Sequence, residues 1–121
     1  MEHNLIRNTG DDGLAMWSDQ DPDRHNVFRF NTIQVPLLAN GIAIYGGADN
    51  EVSDNVVADT VYEGGGIHLS YRFSGTVNLT GTITVARNTV LRSGGAFPQL
   101  SGRWGRCGSG PRRGRSTPTS G

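Results

Sequence analysis

Three glycine-led segments, Gly13-Leu14-Ala15-Met16-Trp17, Gly41-Ile42-Ala43-Ile44-Tyr45 and Gly66-Ile67-His68-Leu69-Ser70, can be set above one another at spacings of 28 and then 25 positions. Repetition at this spacing marks a solenoid, in which each unit buries its apolar face only against its neighbours. Apolar residues alternate within each segment, so Leu14 and Met16, Ile42 and Ile44, and Ile67 and Leu69 face one way, toward a core. The other face carries Ala15, Trp17, Ala43, Tyr45, His68 and Ser70. Stacked, these make a shallow trough with small residues on its floor and aromatics along one line, a shape that suits a sugar chain.

A second register runs through residues 3–9, 26–32, 50–56 and 83–89, and it sets Asn8, Asn31, Asn55 and Asn88 at equivalent turns. Asparagine tolerates left-handed backbone and can hydrogen-bond its copy in the next unit, so these residues read as a structural ladder. No stretch of real length shows the helical period, and Gly, Pro, Asp and Asn interrupt the chain too often for long helices. The 18 glycines among 121 residues fit a chain of short strands and many turns, and 35% apolar residues suffice for a narrow core. Pro36 belongs in a turn or at a strand edge.

Charge is unevenly spread. All 11 acidic residues lie between Glu2 and Glu63, and every basic residue is arginine, five of them after position 100. From residue 96 onward strand alternation fades into Gly, Arg, Ser and Pro, so a partial solenoid over 1–95 and a disordered tail over 96–121 are expected. The tail lacks the regular basic and aromatic interleaving of a nucleic-acid binder, and no nucleic-acid partner is expected. The single Cys107 has no partner for an internal disulfide. Met1 to Asn8 does not read as a signal peptide and no apolar run reaches membrane-spanning length, so no membrane association is expected.

Chemistry is most plausible at Asn8-Thr9-Gly10-Asp11-Asp12-Gly13, where two adjacent carboxylates sit between glycines. Glycosidases use one carboxylic acid to protonate the leaving oxygen and a second carboxylate to attack the sugar or activate water. Strict alternation back from Leu14 sends Asp11 outward and turns Asp12 toward the core, where an unpaired carboxylate is expensive. Either Gly10 and Gly13 break the alternation so that both carboxylates reach solvent, or partners in the turn hold Asp12. A plain polar turn and a calcium site of oxygen ligands remain as alternatives. Aromatic platforms for sugar rings are Trp17, Tyr45 and Tyr71, and His68 is placed toward the trough.

The string Thr9-Gly10-Asp11-Asp12-Gly13-Leu14-Ala15-Met16-Trp17-Ser18 resembles the α-1,3-glucanase and mycodextranase family of glycoside hydrolases. The resemblance implies an all-β, right-handed parallel β-helix, here of three to four coils, from a secreted bacterial enzyme that is a monomer and uses no cofactor or metal. It implies inversion at α-1,3-glucosidic bonds of an α-glucan, with three aspartates of which two are adjacent. Asp11 then corresponds to the general acid and Asp12 to a partner in activating water. The third aspartate belongs about one coil earlier, before Met1, so a segment of this length is expected to be inactive or nearly so alone. Alternatives are a polygalacturonase-like β-helix, whose histidine motif Gly65-Gly66-Ile67-His68 does not match, and a β-helix that binds carbohydrate without cleaving it.

Overall fold

The computed structural model describes residues 1–71 and 73–94, together with two short strands beyond them. In chain order the strands are β1 (Leu5–Arg7), β2 (Leu14–Trp17), β3 (Val27–Arg29), β4 (Thr32–Gln34), β5 (Ile42–Tyr45), β6 (Gly47–Ala48) and β7 (Glu51–Ser53). They continue as β8 (Val56–Ala58), β9 (Ile67–Ser70), β10 (Leu79–Thr80), β11 (Thr84–Ala86), β12 (Thr89–Leu91), β13 (Ala96–Phe97) and β14 (Gly102–Arg103). Among the described residues there is no helix, and hence none long and apolar enough to cross a membrane. The disordered tail expected over 96–121 lies outside the described residues, apart from β13 and β14, which pair antiparallel.

Three parallel sheets carry the fold, in the orders β1-β4-β8-β12, β2-β5-β9 and β3-β7-β11, with β6 and β10 as a small parallel pair. The chain visits the three sheets in a fixed rotation and returns to each in register, with Leu14 opposite Ile42 and Ile42 opposite Ile67. The glycine-led alignment is therefore the true register of one sheet. Returns take 24 to 28 residues in the first passes and 33 from β7 to β11, and the added length falls after β9.

Alternation supplies the core. Leu14, Met16, Phe28, Ile33, Ile42, Ile44, Val52, Val57 and Ile67 form one buried cluster from all three sheets, with Ile6, Leu69, Leu79, Ile83 and Val90 partly buried against it. Gly13 and Gly41 are required by close approach. A Cβ on Gly13 would strike Ile33 and lie 2.6 Å from the Gly41 carbonyl, and one on Gly41 would strike Val57 and lie 2.7 Å from the Gly66 carbonyl. Glycine at these positions is what lets successive passes sit this closely.

The asparagine ladder is present with one member changed. Asn4 donates from Nδ2 to Asn31 Oδ1, Asn31 to Asn55 Oδ1, and Asn55 to Asn88 Oδ1, at 2.9, 3.1 and 3.0 Å. Asn8 is not in it, because β1 pairs with β4 and not with β3. The left-handed residues are also displaced by one: His3, Phe30, Asp54 and Arg87, each just before a ladder asparagine, have φ of 55 to 57°. Asn8 shares a different left-handed column with Val35, Asp59 and Arg92.

Asn55 is 1% exposed, and its side chain accepts from the backbone and side chain of Asn31 while donating to Phe28 O and Asn88 Oδ1. Truncation would orphan several buried groups at once. Asn55→Ala is expected to cost about 3 kcal/mol in urea unfolding, since each buried unmet group costs roughly 1 to 3 kcal/mol. A loss near zero would show that the ladder is filled equally well by water. The exposed pairs Arg87–Asp54 and Arg92–Asp59 lie on the outside of the same columns. Hydrogen bonds from the arginines hold both carboxyls below their ordinary value, but at this exposure such pairs add little stability.

Candidate active site

The two carboxylates precede β2, the first strand of its sheet, and the register of that sheet decides what they meet. Gly13 and Gly41 stand in one column, so Asp12 and Asn40 stand in the column before it. The Asn40 backbone N and Nδ2 both donate to Asp12 Oδ1, at 2.7 and 3.0 Å, and Gly65 N in the next pass donates to Asn40 Oδ1 at 2.9 Å. The Tyr45 hydroxyl donates to Asp12 Oδ2 at 2.9 Å, and Asn40 Nδ2 lies 3.3 Å from that hydroxyl. Asp12 is thus the end of a second side-chain ladder, with a carboxylate where the first ladder has an amide.

Of the two ways around the alternation difficulty, the turn partners hold Asp12, which is half-buried. Asp11 is exposed; its Oδ1 accepts from the Asp12 backbone N at 2.8 Å and its carbonyl accepts from the Thr9 hydroxyl. A cavity of about 450 Å³ is lined by Asp11, Asp12, Ala15, Trp17, Tyr45 and Phe73. Trp17 is 53% exposed and offers a broad apolar surface beside the carboxylates.

The trough is not the open surface that alternation implied. Trp17 and Ala15 are exposed, but Ala43, Tyr45 and His68 are 0%, 6% and 1% exposed. The added length after β9 covers Tyr45. Residues 73–77 cross back beside β2, with Val77 N donating to Ser18 O, Gln20 N to Gly75 O, and Trp17 Nε1 to Thr76 Oγ1 at 3.1 Å. Phe73 then packs on Tyr45 and Trp17 at centroid distances of 5.0 and 5.7 Å.

The structure therefore brings together Asp11, Asp12, Trp17 and Tyr45 around one cavity. His68 lies inside the sheet behind Tyr45, 6.0 Å between ring centroids, with Nε2 and Ser70 Oγ 3.2 Å apart. Tyr71 is 59% exposed and does not line the cavity. Asn40, Phe73 and Thr76 were not singled out from the sequence. Asn40 could have been, because it precedes Gly41 as Asp12 precedes Gly13. Among the described residues no group of three or more His, Cys, Asp or Glu side chains converges to hold a metal ion.

The fold is thus all-strand and parallel, and it sets two carboxylates beside an exposed tryptophan in one cleft. No family model and no curated protein matches the sequence. Among solved structures, the chain is similar to the catalytic unit of the thermostable GH87 α-1,3-glucanase from Streptomyces thermodiastaticus strain HF3-3, with 42% identity and a TM-score of 0.76. The match covers 84% of this chain and 20% of that catalytic unit, so the chain spans about a fifth of the enzyme it resembles. This similarity agrees with the resemblance carried by the segment from Thr9 to Ser18.

Proposed function

We propose that this chain is a segment of a secreted glycoside hydrolase that cleaves α-1,3-glucosidic bonds in α-glucan with inversion, and that its fold is a right-handed parallel β-helix. Support for the helix comes from the fixed rotation of the chain through three parallel sheets. The observation that carries the function is the cavity in which Asp11 and Asp12 face the same space as Trp17, in a chain 42% identical to an α-1,3-glucanase catalytic unit.

The roles follow from chemistry. Asp11, exposed and loosely held, acts as the acid that protonates the departing glycosidic oxygen. Asp12, fixed by three donors, helps draw a proton from the attacking water. Trp17 supplies an apolar platform for a glucosyl ring, whose C–H face stacks on an indole. Additional carboxylate chemistry comes from parts of the catalytic unit beyond this fifth, and the segment alone is expected to be inactive or nearly so.

Because an inverting enzyme releases its first product with the opposite anomeric configuration, NMR of freshly cut α-1,3-gluco-oligosaccharide should show the β-anomer first when the intact catalytic unit carrying this segment is used. Initial release of the α-anomer would rule out inversion. Cleavage of polygalacturonate in preference to α-1,3-glucan would sink the substrate assignment.

A further inference from the structure

We infer that Tyr45 and Asn40 are positioning residues for Asp12, and that Tyr45 is not a sugar platform. This rests on the reading of Asp12 as part of the acid/base set. Tyr45 is 6% exposed, and its ring is walled by Trp17, Phe73 and His68 at centroid distances of 6.4, 5.0 and 6.0 Å. A face enclosed in this way has no room for a glucosyl ring, while the hydroxyl reaches Asp12 Oδ2.

Asn40 is 4% exposed and is pinned from the other side, since Gly65 N holds its Oδ1 and thereby aims its Nδ2 at Asp12 Oδ1. Both oxygens of Asp12 are therefore tied, and rotating the carboxylate breaks bonds to Asn40 and Tyr45 together. A carboxylate offers about four acceptor positions, so these three donors leave about one for a further partner. Activation of water needs its base aimed within a few tenths of an ångström, and a misplacement of about 1 Å can cost roughly 100-fold in rate. Among the described residues the neighbouring Asp11 has no such brace on its carboxylate beyond the Asp12 backbone N. One acid of the pair is rigid and the other adjustable.

Tyr45→Phe removes the hydroxyl and keeps the ring. In the intact catalytic unit, kcat on α-1,3-gluco-oligosaccharide should fall roughly 10- to 100-fold with KM changed by less than about twofold, which is the mark of an interaction that matters after binding. A rise in KM at unchanged kcat, or no change in either, would overturn the inference, because those are the results for a sugar platform and for a bystander. A second measurement needs no turnover. In the 121-residue chain, hydrogen exchange of the Asn40 backbone N–H, which bonds to Asp12 Oδ1, followed by NMR, should quicken roughly tenfold in Tyr45→Phe. Unchanged exchange would show that Tyr45 does not brace the group. If the wild-type catalytic unit fails to cleave α-1,3-glucan, the functional reading falls instead, and the exchange measurement decides the brace by itself.

Discussion

Asp12→Asn in the intact catalytic unit is expected to lower hydrolysis of α-1,3-glucan by about 10²- to 10⁴-fold, the usual contribution of an acid or base group, while leaving the fold stable to within about 1 kcal/mol. The ladder supplies the reason for the second half. In the Asn31–Asn55 pair, the backbone N and Nδ2 of one asparagine already donate to the amide oxygen of the other, at 2.9 and 3.1 Å. An asparagine at position 12 offers the same oxygen to the same two donors of Asn40. Its amide nitrogen would face Tyr45, whose hydroxyl can turn from donor to acceptor. Asp12→Leu, by contrast, leaves the Asn40 donors unmet and should cost about 2 kcal/mol or more. Reducing-sugar release and urea unfolding, measured together, separate the roles. Hydrolysis retained in Asp12→Asn would make Asp12 a ladder residue and nothing more, and Asp11→Asn applies the same test to the exposed partner.

The second large effect is expected at Gly46, which has φ of 76° and sits where β5 ends. A Cβ there would run into the Val77 carbonyl oxygen and come within 2.9 Å of Thr76 Cγ2. Gly46→Ala therefore combines a disfavoured left-handed backbone with displacement of residues 76 and 77, and should cost about 2 to 4 kcal/mol in urea unfolding. The displacement also breaks the bond from Val77 N to Ser18 O and the one from Trp17 Nε1 to Thr76, so Trp17 emission should shift to the red. With Trp104 replaced by phenylalanine, that signal comes from Trp17 alone. Gly10→Ala is the control, since its Cβ meets nothing within 4 Å. Equal stability of the two variants would mean that the crossing segment is not held as described.

How much of this was legible in the sequence depends on whether neighbours along the chain or neighbours across passes decide the outcome. The glycine-led column, the inward residues of β2, β5 and β9, and the parallel stacking follow from alternation and spacing, which are local. The ladder register did not follow cleanly. His3-Asn4-Leu5-Ile6-Arg7-Asn8 offers two asparagines, and only pairing of β1 with β4 selects Asn4. Burial of Tyr45 and His68 was not legible at all, because alternation gives the face of a side chain and not what packs on that face, Phe73 on Tyr45 and Tyr45 on His68. The 33-residue spacing from β7 to β11 was the available signal that something extra is spent there. The partners of Asp12 were half legible: the column gives Asn40, whereas Tyr45 reaches back over its own strand to the carboxylate.

The lengthened pass also says something about how such a cleft changes over time. Strand register on either side of it is kept by the glycine column and the asparagine ladder, neither of which includes residues between Ser70 and Leu79. Insertions in that interval that keep the bonds of residues 75 to 77 beside β2 carry only a slowly growing entropic cost, whereas deletions that remove those bonds carry a penalty like that of Gly46→Ala. A graded set of loop lengths there is a natural library for altering which oligosaccharides are admitted, with the sheets themselves left alone.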